Sequence, residues 1–219
     1  MQLRKTSCDE FQSIWAEAKR QKKHYIAVTQ ELQLTQEVTP ISVYDHIRGS
    51  FGGSGAIIEN VGPDGRADCY QYIFCKPFLR FAVKDGEVVV RMYDSVAYLA
   101  EEVQDPPARI LALLAYYSPL RQEYQPPFVG GAVGRFGCGA VRFVEPSVPL
   151  ANNVGHELTD VCLDFYHQLI VFDHEANIIH LVVAASVWGD DSQRQYDYAR
   201  QELKHLARYL MAGGMEPSA

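Results

Sequence analysis

No apolar run in the chain approaches the ~18 residues needed to cross a bilayer, and the amino terminus lacks the short apolar core of a secretory leader. Neither membrane spanning nor export is therefore expected. Cysteine is sparse and odd in number: Cys8, Cys69, Cys75, Cys138 and Cys162, with no Cys-x-x-Cys pair among them. That argues against a disulfide framework and against a zinc ribbon, and for reduced thiols in a cytoplasmic protein. A basic stripe is also missing. The 27 acidic and 20 basic residues, net −7, are scattered along the chain, so nucleic acid and anionic membrane are excluded as expected partners. The one basic run, Lys19 to Lys23, falls where a first helix should end and complements its dipole. No internal repeat, low-complexity tract or Gly-Lys-Ser/Thr phosphate loop is present.

What is present can bury a core. The 219 residues, 47% of them hydrophobic, suffice for one large domain or two small ones. Asp9 to Lys22 reads as a helix with Phe11, Ile14, Trp15 and Ala18 on one face and Ser7 or Asp9 as its cap. A strand follows at Tyr25 to Glu31. Thr39 caps a short helix that opens with Pro40 and turns Val43, Tyr44 and Ile47 inward. Ser50 to Gly55 is a glycine-rich connection into a strand from Ala56 to Asn60, and Gly62-Pro63-Asp64-Gly65 marks a turn. Cys69 to Phe74 and Leu79 to Lys84 read as strands broken at Lys76-Pro77, and Asp85-Gly86 is a two-residue hairpin turn into Glu87 to Tyr93. Helical periodicity predicts helices at Ser95 to Val103, Pro107 to Tyr117 and Gln195 to Leu210. Leu163 to Phe172 and Ile178 to Val187 form the clearest hairpin, joined by the polar Asp173 to Asn177. Strand runs followed by helices, without regular alternation, predict an α+β fold of antiparallel sheet packed against helices.

Candidate chemistry is thin. His167, His174 and His180 cluster around the late hairpin, but with Asp164, Asp173 and Glu175 they make no recognised metal spacing, and edge or turn roles are expected for them. Cys162 reads as a small buried hydrophobe rather than a nucleophile. Ser54 lies in Gly-Gly-Ser-Gly but precedes a strand, which does not suit a nucleophile elbow. The stretch from Pro126 to Pro146 is too apolar for a linker and too glycine-rich for an ordinary strand. Gly130, Gly131, Gly134, Gly137 and Gly139 indicate backbone brought close to other backbone.

That stretch, following Pro127-Phe128, resembles the Gly-Gly-x-x-Gly-x-x-x-Tyr-Asp segment in the amino-terminal domain of anthranilate synthase component I and its chorismate-using relatives. Ile57-Ile58-Glu59-Asn60 resembles the Leu-Leu-Glu-Ser strand of that domain, Thr39-Pro40-Ile41 its Thr-Pro-Val, and Asp160 to Ala184 its late hairpin. The resemblance runs from about residue 24 to residue 210 of a single domain spanning 1–219, with 211–219 as a tail or the start of a linker. The chain departs from the pattern where Cys138-Gly139 replaces Tyr-Asp and Asn60 replaces serine. Of the family's Arg-Tyr-Ser-x-x-Gly-x-x-Pro segment only Arg66 and Pro77 persist, with altered spacing.

The resemblance implies the same α+β fold and a non-catalytic, structural or regulatory role. In the full enzyme, chorismate and Mg²⁺ belong to a carboxy-terminal half that nothing here resembles. The chain is thus either a fragment or a naturally short homologue, with no catalytic residue, metal ligand or cofactor of its own. The implied partners are the chorismate-binding catalytic domain and a glutamine amidotransferase subunit that supplies ammonia. The implied effector site is Glu59, Asn60, Phe128, Gly130 and Gly131, with weak L-tryptophan binding and with Asn60 offering an amide in place of the family's hydroxyl. Aminodeoxychorismate synthase component I, another chorismate-using synthase, and a free-standing regulatory or interaction protein remain alternatives. An apolar face that relatives cover with the catalytic domain leads to an expectation of self-association.

Overall fold

Ser7 stops the extended amino-terminal segment, its hydroxyl accepting from the Glu10 amide, and the chain enters helix α1 (Cys8–Arg20) with Asp9 and Glu10 in the first turn and Lys19 and Arg20 in the last. Both ends therefore suit the helix dipole. In this computed structural model, which describes residues 3–34, 38–50, 55–59, 69–84, 86–93, 98–102, 105–145, 147–148 and 159–212, the following elements come in order. They are β1 (Tyr25–Gln33), α2 (Pro40–Ser50), β2 (Gly55–Ile58), β3 (Tyr70–Lys84), β4 (Glu87–Met92), β5 (Tyr98–Glu102), α3 (Pro106–Tyr117), β6 (Gly131–Phe136), a 3-10 turn (Cys138–Phe143), β7 (Val161–Asp173), β8 (Ile178–Ser186) and α4 (Ser192–Ala212). The described strands pair antiparallel and pack against helices, so the fold is α+β. The chain divides into two compact units.

The first unit comprises residues 1–76, 118–130 and 167–219. Its strand order is β1-β8-β7-β3-β2, using the end of β7 and the start of β3. β1 pairs with β8 from Tyr25 opposite Ser186 to Gln33 opposite Ile178. Asp173 opposite Ile178 closes the β7–β8 hairpin. One sheet face meets α1, α2 and α4, where Phe11, Trp15, Ile47 and Leu206 pack with Ile26, Ile73, Phe172 and Leu181. Each such side chain, fully buried, contributes about 1.5–3 kcal/mol relative to exposure. The outer edge of β1 is covered. Thr6 and Thr29 exchange hydrogen bonds, the Glu31 amide donates to Arg4 O, Leu120 bonds Tyr25 and Ala27, and the Gln125 side-chain amide donates to Ala27 O. A bare strand edge would otherwise template aggregation.

The second unit comprises residues 77–117 and 131–166, with strand order β6-β7-β3-β4-β5 built from the start of β7 and the end of β3. Lys84 opposite Glu87 leaves the two-residue turn expected from Asp85-Gly86, although Asp85 itself lies outside the described residues. Asp105 caps α3 by accepting from the Ala108 amide at 2.9 Å. The core joins Leu79, Phe81, Val83, Ile110, Leu163 and Phe165. On β3 the Arg80 guanidinium grips Asp164 with two bonds of 2.7 and 2.8 Å, and the Tyr93 hydroxyl donates to the same carboxylate at 3.2 Å. Gly134 shows why the glycine-rich stretch has its composition. A Cβ there would lie 1.9 Å from the Cys162 carbonyl oxygen on the paired strand.

Two local expectations fail. Tyr98 to Glu102, expected as helix, forms β5 against Glu87 to Arg91. The short period is overridden by pairing with β4, a long-range contact that local periodicity does not carry. Nor is β3 broken at Lys76-Pro77. The strand continues with Lys76 at φ 47. In the first unit Ile73 of β3 shares a core with Ile170 and Phe172 of β7, whereas in the second Phe81 shares one with Leu163 and Phe165. β3 keeps its odd parity while β7 changes from even to odd, so the two strands shift by one residue relative to each other, and the left-handed Lys76 marks β3 as the strand that absorbs it. The turn at residues 62–65, Arg66 and residues 213–219 lie outside the described residues.

Candidate functional site

The β2–β3 ladder positions the residues singled out by the sequence. Ile58 opposes Tyr72, which brings Glu59 beside Gln71 one step further on. Glu59 is exposed, and its Oε1 accepts from Gln71 Nε2 at 3.4 Å. Gln71 is itself buried, and its Oε1 lies 2.7 Å from His174 Nε2. A strand-end carboxylate is thereby held by a buried amide, which in turn is held by the hairpin loop. Asn60 lies outside the described residues.

Phe128 is half-buried and stands edge-on to Tyr72 and Phe74, with centroids 6.0 and 5.8 Å away. Tyr72 and Phe74 alternate along β3 with Gln71 and Ile73, so the aromatic group occupies the sheet face opposite the one that carries the Gln71–Glu59 contact. The structure thus places Glu59 and Phe128 on either side of β3. Gly130 follows at φ 153, buried. Gly131 opens β6 in the second unit at φ 143, opposite Tyr166. Both values fall where a side chain is disfavoured.

Sequence reasoning missed a buried polar group in the first unit. His180, expected at an edge or turn, sits on interior strand β8 at 4% exposure, between β1 and β7. Its Nδ1 is 3.8 Å from Glu31 Oε1 and its Nε2 is 3.8 Å from Asp173 Oδ2. Burial lowers the pKa of His180, while Glu31 and Asp173 oppose the shift. The Tyr70 hydroxyl is pushed up by burial first and then by Asp173. A neutral imidazole carries one N–H and can serve only one of its flanking carboxylates at a time. The signal available in the sequence was the lone polar residue in Ile178-Ile-His-Leu-Val-Val183, but pairing with Glu31 depended on which strands are neighbours. Cys162 is half-buried opposite Arg135. Among the described residues no group of three His, Cys, Asp or Glu side chains is placed to hold a metal ion.

No family model matches the chain. Anthranilate synthase component 1 of Acinetobacter calcoaceticus is 36% identical over 88 residues, 39% of this chain and 17% of that protein. Anthranilate synthase component 1 of Acetivibrio thermocellus is 28% identical over 189 residues, 85% of this chain and 36% of that one. The chloroplastic anthranilate synthase alpha subunit 2 of Arabidopsis thaliana is 30% identical over 136 residues, 58% and 22% of the two chains. A crystal structure of anthranilate synthase component I from Streptococcus pneumoniae TIGR4 aligns with a TM-score of 0.46 at 18% identity, covering 80% of this chain and 36% of that one. The chain spans 17% to 36% of the length of these relatives and is homologous to the anthranilate synthase component I family over the matched segments.

Proposed function

We propose that the chain is the non-catalytic amino-terminal domain of an anthranilate synthase component I-like enzyme acting in tryptophan biosynthesis. In the complete cytoplasmic enzyme a separate catalytic half would convert chorismate and glutamine-derived ammonia to anthranilate and pyruvate, with an amidotransferase subunit supplying the ammonia. One observation carries this reading: homology reaching 85% of this chain occupies only 36% of the matched relative. Chemistry on chorismate requires positioned acid, base and metal groups, which the resemblance assigns to the carboxy-terminal half. The chain incubated with chorismate, Mg²⁺ and ammonia should form no anthranilate, and measurable turnover would overturn the reading.

A regulatory role rests on the stretch from Glu59 and Asn60 to Phe128, Gly130 and Gly131 as a weak L-tryptophan site. Support comes from the aromatic group of Tyr72, Phe74 and Phe128, while Glu59 on the opposite face would act on such a ligand only through Gln71 or the backbone. Calorimetric titration with L-tryptophan should give weak heat at most, and Asn60→Ser should strengthen it. A free-standing descendant of the fold is favoured by one feature. Where the resemblance places Tyr-Asp, Gly139 leaves its side-chain space to Asp160, whose Oδ1 would lie 2.0 Å from a Cβ there and whose carboxylate pairs with Arg142. A reading frame continuing beyond Ala219 into a chorismate-binding half would reject that second reading.

A further inference from the structure

The second unit carries its own exposed apolar surface. Between Pro106 and Tyr117 the only charged residue of α3 is Arg109. The outward side of this helix presents Ala108, Leu111, Ala112 and Ala115, all exposed, while Ile110 enters the core. A surface helix ordinarily turns charged or polar residues to water, and one that is apolar on both sides is ordinarily covered. Beside it lies a groove of about 310 Å³ with no charged lining residue. Its floor includes the buried Ile110 and Val161, and its rim consists of Leu111, Phe136 and Val144, which are 67%, 64% and 80% exposed.

We infer that this face is a self-association surface, meeting the same face of a second copy about a two-fold axis. Projecting side chains and an apolar hollow lie on one continuous patch, the arrangement that lets each copy fill the other in an isologous contact. Exposed alanines along α3 allow a second helix backbone to approach closely. The charge distribution selects the same face. Two copies of net −7 repel, and their centre of contact must be free of acids. This face meets that condition, since neither the groove nor the exposed residues of α3 include an acidic side chain. Leu111, Phe136 and Val144, with Val141 of the adjoining turn, expose roughly 400–500 Å² of apolar surface per copy, about 800–1,000 Å² for a pair, which is below the ~1,200–2,000 Å² of a stable specific interface and in the range of weak, transient contacts. The expected dimer is therefore weak, with a micromolar dissociation constant.

Sedimentation equilibrium of the full chain from low to high micromolar concentration tests this. Wild type should shift from monomer to dimer, and Leu111→Glu and Val144→Lys should each weaken association at least about tenfold. Both positions are exposed, so far-UV circular dichroism and the thermal midpoint should stay near wild type, and two separate variants guard against one of them misfolding. Monomeric wild type throughout the range would overturn the proposal and leave the face to a polypeptide of different sequence. Dimerisation undiminished in both folded variants would overturn it by placing the contact elsewhere.

Discussion

Burial holds the imidazole of His167 at a pKa of about 3, against 6.5 for the free side chain. Its ring packs on Tyr25 with centroids 4.4 Å apart. A folded-state pKa below the unfolded one means that the neutral form is favoured by folding. The stabilisation is complete above pH ~6.5, is lost progressively as pH falls, and is gone near the folded pKa. His180 shifts in the same direction because burial outweighs the attraction of Glu31 and Asp173. Acidification from neutral pH toward pH 3 should therefore cost on the order of a few kcal/mol, His167 contributing the larger part. His167→Phe should make this fall shallower between pH 6.5 and 3, as read from urea unfolding midpoints across that range. An unchanged slope would show that other groups set the acid sensitivity.

At the scale of elements, two glycines of similar exposure should respond in opposite ways. Gly134 in β6 has the Cys162 carbonyl where a Cβ would go, whereas Gly49 in α2 has nothing within 4 Å of that position. Gly134→Ala must separate two paired backbones and should destabilise by more than about 2 kcal/mol, a strain effect outside the ordinary surface range. Gly49→Ala should stabilise by about 0.5–1 kcal/mol through helix propensity and a less flexible unfolded chain. Denaturant midpoints at constant slope measure both. The glycine-rich stretch was thus legible as close backbone approach, and α1, α2 and the β7–β8 hairpin were legible from capping residues, apolar spacing and turn chemistry. What remained hidden depended on pairing between distant segments. The strand at Tyr98 to Glu102 and the bulge at Lys76 follow from their partners β4 and β7. Glu59 and Phe128 could each be picked out, but their separation onto two faces of β3 required the register of Ile58 on Tyr72. The His180 cluster likewise required the adjacency of β1, β8 and β7.

Across the whole molecule the two units are interleaved in sequence, one drawn from three segments and the other from two, and both β3 and β7 contribute to each. The pairing of Tyr25 with Ser186 gives this a consequence in time. A ribosome adding about 5–20 residues per second needs roughly 8–30 s between making the first of these residues and the second. Through that interval β1 has its short contact with the Arg4–Thr6 segment, and later Leu120, but not its ladder with β8. Nascent chains arrested before β8 leaves the exit tunnel should be digested readily by protease near β1, and chains arrested after α4 has emerged should be protected. Equal protection at both arrest points would mean that the amino-terminal segment folds without its ladder partner. Until that ladder forms, the β1 segment carries an edge open to intermolecular pairing, and faster passage of the ribosome from β1 to β8 shortens that exposure.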